Sequence, residues 1–283
     1  MRRTIHKPRG DLVLLIWALM VGALMAASIV GANAESERVE CTLLVDAGTG
    51  KTLLREGDCD RRASPASTFK VPLAVMGFDA GILKSEMDPA WPYRPEIDAP
   101  KRDRKTVDPA IWERDSVLWY SREVTRRLGK QKFDAYVSDF SYGNADPSGD
   151  PDKDNGLTHS WLASSLRISP DEQAAFIARL LADGLPVSRR AQALTRAVIP
   201  RFATKDGWTV HGKTGSIFSR DSKGQFDRSR PIGWFVGWAE KGERRIVFAR
   251  LLVDVNAAKG LLGPEIRKRF LSDFPKLIEG AEG

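Results

Sequence analysis

Strand-like segments stand towards both ends of this 283-residue chain, with helical patterning between them, and that order leaves few folds open. Val39 to Val45 is rich in β-branched and apolar residues, Asp46-Ala47-Gly48-Thr49-Gly50 supplies a turn, and Lys51 to Leu54 returns, as in a β-hairpin. After Pro200 the strand pattern recurs at Trp208 to His211, Gly233 to Ala239 and Arg245 to Asp254, before a last helix from about Pro264 to Ile278. The order predicts an α/β (α+β) fold: an antiparallel sheet built from both termini, flanked by helices, with a helical lobe inserted in the middle.

Within that middle, Ser64-Pro65-Ala66-Ser67 opens a helix whose apolar body runs from Val71 to Ile82. Helical spacing returns from Ile111 to Phe140, where Val117, Tyr120, Val124 and Leu128 fall three and four apart. Ser169-Pro170-Asp171-Glu172 starts a helix reaching about Ala182, because proline suits the first turn and acids suit its dipole. A further helix is expected from Ser188 to Val198. Asp88 to Pro109 and Tyr142 to Thr158 read as polar loops.

The first 34 residues are set apart from the fold. Arg2, Arg3, Lys7 and Arg9 precede an apolar run from Leu12 to Val30, and Ala32-Asn33-Ala34 resembles a cleavage site, so 1–34 is expected to be a signal peptide and 35–283 a single catalytic domain. An uncleaved membrane anchor is the competing reading of the same run. Cleavage implies a periplasmic or secreted protein with no membrane attachment. The four basic residues against Asp11 carry +3 of the formal charge of +7, which leaves +4 on the rest. Charge so mild and scattered, without a reading motif, argues against a nucleic-acid partner. Cys41 and Cys59 are disulfide candidates in an exported chain, although two cysteines do not establish their own proximity. No Cys/His cluster points to a metal.

Ser67-Thr68-Phe69-Lys70 is an S-x-x-K tetrad at a helix start, a spacing that puts hydroxyl and amine on one face. Serine needs a base to become a nucleophile, and Lys70 is placed to be one. Burial beside Phe69, Val71 and Leu73 would disfavour its ammonium form, leaving an amine able to act as base or to react with carbon dioxide. After residue 34 only His159 and His211 remain, and there is no G-x-S-x-G elbow, so a Ser-His-Asp hydrolase is disfavoured. Lys213-Thr214-Gly215 is a second constellation, expected where a strand ends: a cation and a hydroxyl for a substrate carboxylate, and a glycine permitting close approach.

Taken in order, Ser67-Thr68-Phe69-Lys70, Ser116-Val117-Leu118, Tyr142-Gly143-Asn144, Trp161 within Ser160 to Ser164, and Lys213-Thr214-Gly215 resemble the class D serine β-lactamases, the oxacillinase family, over nearly all of 35–283. Leu118 departs slightly from the usual S-x-V, and no E-x-x-L-N segment supplies a class A glutamate. The resemblance implies a β-lactamase/transpeptidase-like fold and hydrolysis of penicillin-type β-lactams, conferring antibiotic resistance. It also implies an acyl-enzyme on Ser67 and N6-carboxylysine at Lys70 as general base. Carbon dioxide or bicarbonate would be needed for that modification, with no other cofactor and no metal. Trp161 would donate to the carbamate, and Val117 and Leu118 would form an apolar wall. Ser116 would carry a proton to the leaving nitrogen, while Lys213 and Thr214, beside Gly215, would hold the substrate carboxylate. The amides of Ser67 and Ser216 would form the oxyanion hole, Tyr142-Gly143-Asn144 would shape the pocket wall, and Arg267 is a candidate second cation.

Two other readings compete. Gly207 to Thr214 fits the P-loop expression, but that loop needs a strand before it and a helix after it, and neither is expected here. A β-lactam sensor, acylated without turnover, shares the fold but usually follows several membrane spans, and only one short apolar run is present. The sequence leaves oligomeric state and substrate spectrum open.

Overall fold

A computed structural model of the chain describes residues 38–204, 206–253 and 262–282. The expected leader at 1–34 lies outside the described residues. The sheet contains β1 (Val39–Asp46), β2 (Thr52–Gly57), β3 (Arg201–Ala203), β4 (Thr209–Arg220), β5 (Phe226–Lys241) and β6 (Arg244–Val253). Its order is β2-β1-β6-β5-β4-β3, antiparallel at every step, so β1 from the start of the fold pairs with β6 from its end.

Period-two alternation decides which side chains enter which layer. On β5, Trp234, Val236 and Trp238 face one core, whereas Phe235 and Ala239 face the other. β6 repeats the division, with Val247, Ala249 and Leu251 opposite Ile246 and Phe248. The Phe235 and Phe248 face is covered by α8 (Leu262–Glu282), whose Phe270 ring lies 4.3 Å from Phe248 and 5.5 Å from Phe235. On the other face sit α1 (Lys70–Asp79) and α6 (Pro170–Leu181). Ser169 and Glu172 form a reciprocal capping box at the start of α6, fixing its entry beside the sheet. A disulfide joins Cys41 on β1 to Cys59 just beyond β2.

Several boundaries differ from the sequence pattern for identifiable reasons. The expected helix from Ile111 to Phe140 is three: α2 (Pro109–Asp115), α3 (Leu118–Leu128) and α4 (Lys130–Asp139). Left-handed backbone at Ser116, φ 60°, and positive φ at Gly129, 74°, make the two breaks, and apolar spacing carries across both. The β4–β5 hairpin extends through Ile217 to Arg220 and Phe226 to Pro231, whose polar arms show no apolar alternation because backbone pairing holds them. Lys213-Thr214-Gly215 therefore lies in the middle of β4, not at a strand end. The loops hold a short helix, α5 (Gly156–His159), and the fold is completed by α7 (Arg189–Val198), capped by Ser188. Among the described residues no helix is long and apolar enough to cross a membrane.

Candidate active site

Ser67 stands in a single 3₁₀ turn, Ala66–Phe69, that leads directly into α1. Ala66 has φ 50°, a left-handed value that costs an alanine roughly 1 kcal/mol and persists only when its surroundings impose it. They do so through the Trp161 segment. The Ala66 amide and the Ser64 hydroxyl both donate to the Trp161 carbonyl, at 3.1 and 2.9 Å, and the Ala163 amide donates to the Ser64 hydroxyl at 2.8 Å. From below, Phe69 stacks on the Trp161 indole at 5.1 Å and meets Tyr142 edge-on at 5.5 Å. The nucleophile is thereby fixed by a packed aromatic base, and Lys70, the first residue of α1, places its Nζ 3.5 Å from the Ser67 Oγ.

Ser116 reaches the same cleft from the end of α2. Its left-handed conformation turns the chain between α2 and α3. Lys213 donates from Nζ to the Ser116 Oγ at 3.0 Å and to the Thr214 carbonyl at 2.9 Å. β4 can pass this close to the Ser67 turn only because of Gly215: a Cβ there would stand 2.8 Å from the Pro65 carbonyl oxygen and 3.1 Å from the Thr68 methyl. Alternation turns Thr214 and Ser216 away from Lys213, and the Ser216 Oγ accepts the Gly263 amide at 2.8 Å.

The cleft buries charge. Lys70 and Lys213 are 1% and 2% exposed, and Glu113, on α2, is fully enclosed. Burial, helped by repulsion from Lys213, brings the Lys70 amine down to about 7, against the pull of Glu113 and Asp103. Lys213 is lowered to about 8, chiefly by burial, with Glu113 opposing and Arg267 assisting. The Glu113 carboxyl is raised to about 7 by burial, although both lysines draw it down. A buried amine of this kind suits carboxylation by carbon dioxide, because only the neutral form has a lone pair to react.

Of the residues singled out in the sequence, Ser67, Lys70, Ser116, Lys213 and Gly215 converge on one cleft. Val117 is fully buried and Leu118 partly buried against the core. Arg267 lies with its guanidinium 4.9 Å over the Phe202 ring, close enough for its charge to act on Lys213. Within Tyr142-Gly143-Asn144, Tyr142 supports Phe69 from beneath, and Asn144 pins the segment after Trp161 by bonds to Ser165 and Arg167. Glu113 and Asp103 escaped the sequence reading, since a lone acid near a helix end normally faces water. Among the described residues no group of His, Cys, Asp and Glu is arranged to hold a metal ion.

A serine beside a buried lysine, with a second lysine and serine across the cleft, defines a serine acyl-transferase site of the penicillin-recognising kind. Residues 40–272 match the family of the penicillin binding protein transpeptidase domain. The chain is 48% identical to beta-lactamase OXA-9 of Klebsiella pneumoniae over 269 residues, covering 94% of this chain and 98% of that protein. It is 34% identical to beta-lactamase OXA-1 of Escherichia coli over 229 residues, 80% of this chain and 78% of the other. The crystal structure of OXA-427, a class D beta-lactamase, superposes with a TM-score of 0.78 at 40% identity, over 86% of this chain and 99% of that one. The chain belongs to the class D β-lactamases.

Proposed function

We propose that this enzyme opens the β-lactam ring of penicillin-type antibiotics through an acyl-enzyme on Ser67, with Lys70 as general base in carboxylated form, and that it thereby confers antibiotic resistance. Carboxylation would supply an anionic base able to accept a proton in both half-reactions. Lys70 removes the Ser67 proton, and Ser67 Oγ attacks the ring carbonyl. The amides of Ser67 and Ser216 receive the developing oxyanion, where fixed dipoles in a dry site act most strongly. Ser116 passes a proton to the departing ring nitrogen. Lys213 and Thr214, with Arg267 further along α8, hold the substrate carboxylate. Trp161 donates its indole N–H to the modified lysine, and Val117 and Leu118 keep that end of the cleft apolar. Lys70 then activates a water to release the product.

The observation that carries this reading is the fully enclosed Lys70 amine 3.5 Å from the Ser67 hydroxyl. Export by the 1–34 leader would place the enzyme where β-lactams enter the cell envelope. Steady-state hydrolysis of a penicillin, followed by loss of ring absorbance, tests the mechanism. Lys70→Ala is expected to abolish turnover, and bicarbonate to restore wild-type activity lost in carbon-dioxide-depleted acidic buffer. Rates indifferent to bicarbonate under those conditions would remove the carbamate from the scheme.

A further inference from the structure

Glu113 is a buried acid that the mechanism above leaves idle. Its side chain is wholly enclosed, and neither carboxyl oxygen has a hydrogen-bond partner among the described residues. Buried polar groups are nearly always paired, and an unpaired carboxylate costs several kcal/mol unless opposite charge compensates it. Here the compensation comes from Lys213 and Lys70, the two cations whose fields reach it. Glu113 also sits on α2 three residues before Ser116, so the helix that delivers the serine delivers the acid to the same cavity.

We propose that Glu113 is a positioning residue acting through Lys70: it is the cavity's anion while Lys70 is a free amine, and it takes up the proton released when Lys70 is carboxylated. The inference rests on the carboxylated-lysine reading. In that step the Nζ lone pair bonds to the carbon of carbon dioxide, a C–O π pair moves to oxygen, and one N–H proton leaves. Proton uptake by the Glu113 carboxylate lets one anion replace another, so the charge of the cavity is unchanged. Two anions sharing the field of one Lys213 ammonium would cost more than either alone, which makes ionised Glu113 a competitor of the carbamate. On α2 itself, Asp115 is paired with Arg114 and with Lys105. Asp103 acts on Lys70 and is itself 3.4 Å from Arg102, and Arg267 acts on Lys213. On α3, Arg126 and Arg127 pair with Glu123, and Arg122 bonds His159. On α7, Arg196 pairs with Asp183, while Arg189 and Arg190 are exposed.

The test is carbon-13 NMR of the whole enzyme titrated with labelled bicarbonate, reading the carbamate carbon in wild type and Glu113→Gln from pH 6 to 8. Glutamine keeps the shape and cannot ionise. At pH 6, where burial keeps more of Glu113 protonated, the two half-saturation points should lie closest together. At pH 8, where more of Glu113 is ionised, the variant should need severalfold less bicarbonate, and the ratio should widen as pH rises. A ratio that is constant with pH, or a variant that needs more bicarbonate, overturns the role of Glu113 while leaving the carbamate intact. No carbamate signal in wild type overturns both. Should Glu113→Gln fail to fold, infrared difference spectra of wild type on bicarbonate addition decide. A protonated-carboxyl band rising with the carbamate bands supports the proposal, and carbamate bands alone refute it.

Discussion

The Lys213 ammonium donates to the Ser116 hydroxyl at 3.0 Å, tying the middle of a strand to the end of a helix 97 residues earlier. Because the Ser116 oxygen is the acceptor, its own proton stays free to be given away. The ammonium also stabilises the negative charge that builds on the serine oxygen as the proton leaves. A proton donor next to a carboxylate-binding cation is what ring opening demands, since the breaking bond and the substrate's acid group are neighbours in a penicillin.

Ser116→Ala should therefore lower kcat by about 10²- to 10⁴-fold, the usual contribution of a positioned acid. Stopped-flow acylation rates check this, with an unchanged far-ultraviolet spectrum as the control for folding. A loss confined to KM would assign Ser116 to binding instead.

Lys70 is expected to cost stability. Its amine titrates at about 7 in the folded chain against an ordinary 10.5, so between those values the unfolded chain binds more protons and wild-type stability rises with pH. Lys70→Met should raise Tm at pH 7 in carbon-dioxide-depleted buffer, and the gain should shrink as pH approaches 10.5. Scanning calorimetry at several pH values measures both.

Trp161 packs against Phe69, and the mechanism proposed above gives its indole N–H a second, separable role as donor to the carbamate. Removal of the whole indole by Trp161→Ala leaves a void under Phe69 and should cost about 3–5 kcal/mol of stability. Trp161→Phe preserves most of the stacking but removes the N–H, so denaturant midpoints should stay near wild type while the bicarbonate required for activity rises. Equal bicarbonate requirements in wild type and Trp161→Phe would leave the indole a packing group only.

The bridge between Cys41 and Cys59 closes a loop of sequence separation 18. Chain-entropy reasoning gives its loss, in the Cys41→Ser, Cys59→Ser double variant, a cost of about 3 kcal/mol, measurable by urea denaturation.

Much of this site was readable in the sequence because its chemistry rests on local spacing. Ser67 and Lys70 needed only one helical turn to meet, and the glycine after Lys213-Thr214 already announced a close approach. What stayed hidden depends on distant parts of the chain. Glu113 looks like any acid near a helix end until α2 is folded against two buried lysines. The break at Ser116 is a single left-handed residue, invisible to apolar spacing that continues from Val117 to Leu128. The arms of β4 and β5 are held by pairing with each other, so their polar residues gave no strand signal.

Intact-protein mass spectrometry, following the enzyme through a time course with an excess of a penicillin, separates repeated turnover from trapping at Ser67. One adduct of penicillin mass, mapped to Ser67, should form and then disappear as hydrolysed product accumulates beyond one equivalent. An adduct that persists without further product, or one that forms on another residue, would contradict the account.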